Sequence, residues 1–170
     1  TTLGRNGSNY SASLLANYLN AEELQSFTHV DGIFTANPEW VKDAQKIEEL
    51  NFNEANELAN FGASILHAKT IIPLLEKKIP LRIKNTLKPN ENGTLISANP
   101  TPIGLKSLSV LSEMALINFE GRGLLGKVGV DARIFNALCN KDISVSVIAQ
   151  GSSERGIGFV VEKIKATAAI

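Results

Sequence analysis

The feature that most constrains the fold is a strand, glycine corner, helix and strand pair over residues 115–161. An apolar strand, A-L-I-N-F-E, is followed by the glycine-rich corner G-R-G-L-L-G-K-V-G. Apolar residues then recur at three- and four-residue spacing, which predicts a helix with one buried face: Val128, Ala132, Phe135 and Leu138. The segments I-S-V-S-V-I-A and I-G-F-V-V-E, separated by the turn Q-G-S-S-E-R-G, read as two strands. The pattern predicts a small sheet with a helix packed on one face.

The glycine corner is also a candidate binding site. Gly121, Gly123 and Gly126 allow the backbone to approach a ligand closely. If the helix begins there, its free N–H groups and its positive dipole end would suit the carboxylate of a free amino acid. The corner can equally be a plain strand-to-helix loop, because glycines commonly mark turns.

Composition excludes several classes of protein. Apolar residues make up 44% of the chain and charged residues 20%, which is typical of a globular domain. Basic and acidic residues both number 17, so no excess of positive charge points to nucleic acid. No apolar run approaches the roughly 20 residues of a membrane span, and no signal peptide is evident. Cys139 is the only cysteine and is predicted to be buried in the helix. We expect a cytoplasmic protein with no metal site of its own.

A second glycine turn precedes a helix near the N-terminus, in the run L-G-R-N-G-S-N-Y-S-A. Ser8 or Asn9 is predicted to cap that helix. Arg5 could hold a carboxylate through two parallel hydrogen bonds. This second corner is therefore another possible anion site, although such a turn often has no ligand.

The middle of the chain alternates strands and helices. The run E-L-Q-S-F-T-H-V-D-G-I-F-T-A-N-P predicts a short strand followed by two turns, and residues 41–79 are predicted to be mostly helix. Strands are predicted at 79–84 and at G-T-L-I-S. Residues 98–106 contain two prolines and a glycine without periodicity, which predicts a linker.

With these motifs in hand, the chain resembles the aspartate kinase family, most closely its bifunctional aspartokinase–homoserine dehydrogenases. The resemblance is carried by L-G-R-N-G-S-N-Y-S-A, F-G-A-S-I-L-H, I-K-N-T with G-T-L-I, and F-E-G-R-G-L-L-G-K-V-G. It implies an α/β fold in which residues 1–97 form part of an amino-acid-kinase (carbamate-kinase-like) lobe. A linker at 98–106 would lead to an α+β ferredoxin-like ACT regulatory domain at 107–170, expected to be truncated at its C-terminus.

The resemblance implies an activity, the ATP-dependent phosphorylation of L-aspartate to 4-phospho-L-aspartate, which begins lysine, threonine and methionine biosynthesis. Mg²⁺ would arrive with ATP. The substrate would be held by Arg5, Gly7, Ser8 and Asn9, and the nucleotide by Thr28, His29, Asp31, Phe34 and Ser64. No catalytic residue is implied. The family's N-terminal lobe is not in this sequence, so we expect no turnover by this chain alone.

The ACT resemblance implies feedback control by an amino acid, threonine rather than lysine. In that family the effector binds at an interface between two such modules, so a homo-oligomer is expected. The matching positions are Arg122, Leu124, Leu125, Val145, Ser146 and Gln150. Gln150 is the most informative of these, because a primary amide both donates to a carboxylate and accepts from an ammonium group.

Three positions depart from the family pattern in charge, and Phe34 stands where the family has tyrosine. Asn9 and His29 stand where the family has aspartate, and Ser64 stands where most relatives have a lysine that binds ATP phosphates. All three substitutions remove charge around the predicted substrate and nucleotide. They favour an alternative hypothesis, a non-catalytic module that senses an amino acid. His29 can also be simply an exposed loop residue, and a structural role without any ligand stays a third possibility.

Overall fold

The computed structural model describes residues 7–60, 68–121, 127–150 and 156–170. The chain divides into two units, 1–110 and 111–170. Within the described ranges, no helix combines the length and the apolar character that crossing a membrane requires.

Among the described residues, the first unit contains three helices and four strands. In chain order they are α1 (Gly7–Leu19), β1 (Leu24–Thr28), β2 (Glu49–Asn51), α2 (Phe52–Asn60), α3 (Ala68–Lys77), β3 (Leu81–Asn85) and β4 (Thr94–Ser97). The strands form one mixed sheet in the order β1-β3-β4-β2. β1 and β3 run parallel, in register from Leu24↔Leu81 to Thr28↔Asn85. Their carboxyl ends therefore meet at one edge of the sheet.

The core of the first unit lies between this sheet and its helices. β3 alternates buried and half-buried residues, so that Leu81 and Ile83 point inward. Ile96 from β4, Ala55 from α2 and Leu74 from α3 pack against them. Burying a leucine or isoleucine side chain contributes about 1.5–3 kcal/mol, so this alternation fixes which face of the sheet carries the helices.

Helices α1 and α3 end in the same way. Asn20 and Lys78, which follow them, adopt left-handed backbone conformations with φ of 51° and 54°. The N–H groups of Ala21 and Ile79 then bond carbonyls five residues earlier, each at 3.0 Å, which is a Schellman termination. Each helix turns back directly into β1 or β3. The N-terminal ends of both helices therefore point toward the carboxyl ends of these strands.

One expectation for the first unit was wrong. α1 is helical from Gly7 onward, so Ser8 and Asn9 lie inside the helix and do not cap it. Most of the described residues of the segment 41–79 are helical, in α2 and α3, as predicted, but residues 41–48 form no helix and β2 precedes α2. β2 is only three residues long and exists because it pairs with β4, which lies more than 40 residues away in the sequence. No local sequence pattern predicts such a strand.

The described part of the second unit is a three-stranded antiparallel sheet with one long helix. Its elements are β5 (Met114–Glu120), α4 (Val130–Cys139), β6 (Val147–Gln150) and β7 (Gly156–Glu162), followed by a 3₁₀ turn (Lys163–Lys165) and α5 (Ala166–Ala169). The strand order is β5-β7-β6. Leu138 and Ile143 form the core with Phe159 and Val161 of β7. The Phe135 ring meets the Phe159 ring edge-on at 6.4 Å. The predicted sheet with a helix on one face is confirmed.

Details of the helix prediction were wrong. α4 starts at Val130 with Gly129 as its N-cap, at φ 83°, and Val128 lies before the helix and is fully exposed. The inward face of α4 is formed by Ile134, Phe135 and Leu138. Cys139 is consequently exposed. The strand predicted over 143–149 is also shorter than expected, because β6 begins only at residue 147.

Candidate functional site

The carboxyl ends of β1 and β3 form a polar edge of the first unit. Thr28, the last residue of β1, is the register partner of Asn85, the last residue of β3. Thr86 donates twice to the Thr28 carbonyl, from its backbone N–H at 2.8 Å and from its hydroxyl at 3.1 Å. The chain leaves both strands at the same place. Open α/β sheets bind ligands outside the carboxyl ends of their parallel strands.

Asp31 lies in the loop after β1 and is held by the last residue of β3 and by the loop that follows β3. Its carboxylate accepts a hydrogen bond from Asn85 Nδ2 at 2.5 Å and another from Lys88 Nζ at 2.7 Å. The Lys88 ammonium, and then the Asn85 amide, hold the pKa of Asp31 below its ordinary value. The same contact raises the pKa of Lys88. Asp31 is therefore ionised at neutral pH and paired with a cation.

The backbone that follows Asp31 is fixed by a buried hydroxyl. Ile33 N–H donates to Thr94 Oγ1 at 2.8 Å, and Thr94 Oγ1 donates to the Ile47 carbonyl at 2.6 Å. Gly32 has φ 145°, and a Cβ there would lie 2.5 Å from Thr94 Oγ1. Glycine at this position therefore allows the loop to pack directly against β4.

The other predicted nucleotide residues of this loop are partly or fully accessible. His29 is exposed, and its Nδ1 lies 3.3 Å from the Thr28 hydroxyl. Phe34 is half-buried, and its backbone bridges to Lys46. Four of the five residues predicted for the nucleotide, Thr28, His29, Asp31 and Phe34, thus lie at the end of β1 or in the loop that follows it. Ser64 lies outside the described residues.

The start of α1 carries three of the predicted substrate residues. Gly7, Ser8 and Asn9 form its first turn, where backbone N–H groups have no acceptor within the helix. Because α1 reverses into β1, its N-terminus and the positive end of its dipole point toward the carboxyl end of that strand. From this chain direction we expect these three predicted substrate residues to lie toward the edge that carries Thr28. Arg5 lies outside the described residues.

The three predicted effector residues that the structure describes, Val145, Ser146 and Gln150, do not form one cluster within a single chain. Gln150 is exposed and ends β6, and it pairs with Ile157, close to the end of β5. Ser146 bonds the Val160 carbonyl near the opposite end of the strand, about 13 Å from Gln150 at the rise of an extended chain. Val145 packs against the core. Only Gln150 lies at the end of the sheet from which the glycine corner departs. Arg122, Leu124 and Leu125 lie outside the described residues.

Comparison with protein families identifies both units. Residues 1–85 match the model of the amino acid kinase family. The chain belongs to the amino acid kinase family. Residues 117–170 match the model of an ACT domain. The kinase match thus ends at the last residue of β3, and the ACT match begins within β5.

Curated relatives and solved structures agree with these matches. The chain is 43% identical over 161 residues to the bifunctional aspartokinase/homoserine dehydrogenase of Haemophilus influenzae, covering 94% of this chain and 20% of that protein. It is 34% identical over 168 residues to the lysine-sensitive aspartokinase 3 of Escherichia coli, covering 98% and 37%. Aspartokinase III of E. coli, crystallised with aspartate and ADP, has a TM-score of 0.82 at 33% identity, covering 95% of this chain and 36% of that one.

The resemblance to aspartate kinases and the fold class are therefore confirmed: an α/β amino acid kinase lobe is followed by an α+β ACT domain. The chain spans about a fifth of the length of the bifunctional relatives. The domain limits 1–97, 98–106 and 107–170 and the individual site residues stay predictions.

Three residues at the edge where β1 and β3 end, which we call the kinase edge, were not predicted, although their motif was recognised. Asn85 and Thr94 are buried polar residues on β3 and β4, and Lys88 lies between them in sequence. Asn85 occupies an inward position of a strand whose other inward residues are apolar. A polar residue at such a position must have buried partners, and this was the available signal. No such signal in the sequence pointed to Lys88, because a lysine in a polar turn usually contacts only solvent.

Proposed function

We propose that this chain is the nucleotide-side part of an aspartate kinase together with its regulatory ACT domain. The parent protein would transfer the γ-phosphoryl group of ATP to the side-chain carboxylate of L-aspartate. The observation that carries this proposal is the polar edge where β1 and β3 end together, at which Thr28 pairs with Asn85 and the Asp31 carboxylate is held by Asn85 and Lys88. Aspartokinase III of E. coli, a relative of similar fold, binds aspartate and ADP.

Each group at this edge has a chemical role in the proposal. The free N–H groups of Gly7, Ser8 and Asn9 would receive a carboxylate of aspartate, with Arg5 beside them. Thr28 and His29 would contact the nucleotide, and the Phe34 ring would stack on adenine. Ser64 would donate one hydrogen bond to a phosphate.

Mg²⁺ fits this edge only as part of the nucleotide. Among the described residues, no three His, Cys, Asp or Glu side chains are grouped so that they could hold a metal ion. Asp31 is already paired with Lys88. The half-exposed Lys88 ammonium and the Thr28 hydroxyl instead suit phosphate oxygens, which would carry the metal.

The ACT domain would bind a feedback amino acid through Gln150, Val145 and Ser146 and the corner residues Arg122, Leu124 and Leu125. The separation of Gln150 from Ser146 within one chain favours a site completed by a second copy, and hence a homo-oligomer. Likeness to bifunctional relatives favours threonine, although E. coli aspartokinase III has been crystallised with lysine. Effector binding would bias an equilibrium felt at the kinase edge. The cytoplasmic location also stays a prediction.

A non-catalytic amino-acid sensor is the second candidate. It is favoured by the uncharged Asn9 and Ser64 and by the exposed His29, at positions where aspartate kinases carry charged side chains. Phosphoryl transfer depends on charge aimed at the transferring group. A protein that has lost such charges could retain the effector site alone.

A segment exchange separates the two candidates. This chain would replace the matching 161-residue segment of the H. influenzae bifunctional enzyme, and aspartate-dependent ADP release would be measured in a coupled assay. Homoserine dehydrogenase activity of the same exchange protein serves as an internal control for folding. Aspartate phosphorylation above background supports the kinase. A protein with intact dehydrogenase activity that binds threonine or lysine, but neither binds ADP by calorimetry nor phosphorylates aspartate, is a sensor.

A further inference from the structure

The segment between the two domains, residues 98–110, forms no helix or strand but is attached to the kinase lobe at two points. We call it the connecting segment. Ile103, Gly104 and Leu105 of this segment are exposed to solvent. Thr101, Lys106 and Ser107 are half-buried. This alternation separates the residues that hold the segment from those that do not.

The first attachment is the carboxylate of Glu54 on α2. Its Oε1 accepts a hydrogen bond from the Thr101 hydroxyl at 2.6 Å and lies 3.9 Å from Lys106 Nζ. Its Oε2 accepts from Asn51 N–H at 2.9 Å. Burial opposes ionisation of this carboxyl, but the bonds from Thr101 and Asn51, aided by the Lys106 charge, hold the pKa of Glu54 below its ordinary value. The attachment is therefore ionic at neutral pH.

The second attachment is to the backbone of the loop predicted to hold the nucleotide. The Ser107 hydroxyl donates to the Phe34 carbonyl at 2.8 Å, and Leu108 N–H donates to the Thr35 carbonyl at 2.9 Å. On its other side, Thr35 N–H donates to the Gln45 carbonyl at 2.8 Å. Residues 34–35 are thus held between 45–46 and 107–108 by main-chain bonds on both sides.

We propose that the connecting segment positions the Phe34 loop for nucleotide, with Ser107 as its positioning residue. The segment continues directly into the first strand of the ACT domain. Displacement of that strand therefore acts on the carbonyls of Phe34 and Thr35 through the covalent chain. The expected effect on nucleotide affinity rests on the function proposed above, whereas the expected effect on the position of the Phe34 loop does not.

Two readouts test the proposal on the 170-residue chain. Amide hydrogen exchange over residues 33–36 reports whether the loop is held, and calorimetric titration with ADP reports what that does to binding. A single hydrogen bond contributes about 0.5–1.5 kcal/mol. We therefore expect the loop amide hydrogens to exchange faster in Ser107→Ala, and this variant to bind ADP about two- to tenfold more weakly. Ser107→Thr keeps the hydroxyl and should restore both. Ser109→Ala is the matched control, because Ser109 is an exposed serine of the same segment.

The outcomes distinguish the two proposals. Faster loop exchange in Ser107→Ala without ADP binding by any variant, wild type included, retains the positioning role and overturns nucleotide binding by this chain. Unchanged loop exchange in Ser107→Ala overturns the positioning role, as does ADP affinity equal to that of Ser109→Ala when the wild type binds. Thr101→Val, which removes the hydroxyl bond of the other attachment but leaves the Lys106–Glu54 ion pair, should shift both readouts in the same direction by a smaller factor.

Discussion

Two buried threonines of the kinase lobe differ in how they use their hydroxyl groups. Thr94 is fully buried, accepts from Ile33 N–H and donates to the Ile47 carbonyl. Thr70 on α3 is also fully buried, but within the part of the chain that the structure describes its hydroxyl has no hydrogen-bond partner. A buried hydroxyl without a partner costs free energy that a methyl group does not.

The same substitution should therefore have opposite effects at the two positions. We expect Thr70→Val to raise the free energy of unfolding by about 1 kcal/mol. Thr94→Val should lower it by about 1–3 kcal/mol, because it leaves the Ile33 donor and the Ile47 acceptor unpaired. Urea unfolding measures both. A loss of stability in Thr70→Val would contradict the assignment of an unpaired hydroxyl.

Asp31 should make the stability of the kinase lobe depend on acid pH. Its pKa is lowered in the folded state by Lys88 and then by Asn85. The ionised form is therefore favoured by folding, and its contribution is fully present above the ordinary carboxyl pKa, near pH 4. It is lost as the pH falls through the lowered value. Asp31→Asn should flatten the stability profile in this acid range.

Thermal unfolding between about pH 2 and 6 measures that profile, a range chosen to bracket ordinary carboxyl titration. Asp43→Asn is the control, because Asp43 is an exposed acid of the same lobe. If Asp31→Asn and Asp43→Asn leave profiles of the same steepness, the Lys88 contact does not stabilise the fold.

At the scale of elements, α2 begins with a reciprocal pair of hydrogen bonds. Asn51 Oδ1 accepts from Glu54 N–H at 2.9 Å, and Glu54 Oε2 accepts from Asn51 N–H at 2.9 Å. This is a capping box with asparagine as the first member. It lies directly after β2 and joins the shortest strand of the sheet to the helix that packs against the core.

Breaking this box should destabilise the kinase lobe. Asn51→Ala removes the side-chain acceptor at the helix start, and we expect a loss of about 1 kcal/mol. Asn51→Ser restores an acceptor and should recover most of the loss, whereas Asn53→Ala changes an exposed residue of the same helix and should be nearly neutral. Chemical unfolding of the three variants is the measurement. Equal stability of Asn51→Ala and Asn53→Ala would show that the box contributes nothing.

The elements that sequence reasoning found are those defined by local patterns. β3 follows from its alternation of apolar and polar residues, and α4 from apolar residues at helical spacing. The missed features depend on distant partners. β2 requires β4, and the exposure of Cys139 follows from the position of α4 on the sheet, which Phe159 and Val161 determine.

The location of the candidate site could be predicted from the sequence, but the contacts between its residues could not. The loop carrying Thr28, Asp31 and Phe34 was recognised by its motif. The partners of that loop, Asn85 and Ser107, come from segments more than 50 residues away. A one-dimensional pattern contains no information about which polar residue will meet which carbonyl across the fold. Tertiary packing decides those pairs.

At the scale of the whole molecule, we expect Gln150 to bind the effector amino acid of the ACT domain. Gln150→Ala should weaken effector binding by more than tenfold, because the amide is lost while the exposed edge of β6 needs no side chain there to fold. Titration with L-threonine and with L-lysine measures the effect. Asn136→Ala, at an exposed position on α4, is the control. An unchanged titration in Gln150→Ala would remove this residue from the effector site.

The shared use of the Glu54 carboxylate has a consequence for how such a protein changes over generations. One oxygen accepts the N–H bond that starts α2 and the other accepts from Thr101, whereas the Ser107 hydroxyl, among the residues described, bonds only the Phe34 carbonyl. A genetic screen for resistance to a toxic effector analogue should recover Ser107 substitutions at any growth temperature. Glu54 substitutions should survive only in cultures kept cool, since they also weaken the fold. At Glu54, a substitution that relieves feedback inhibition should therefore also make the protein sensitive to heat.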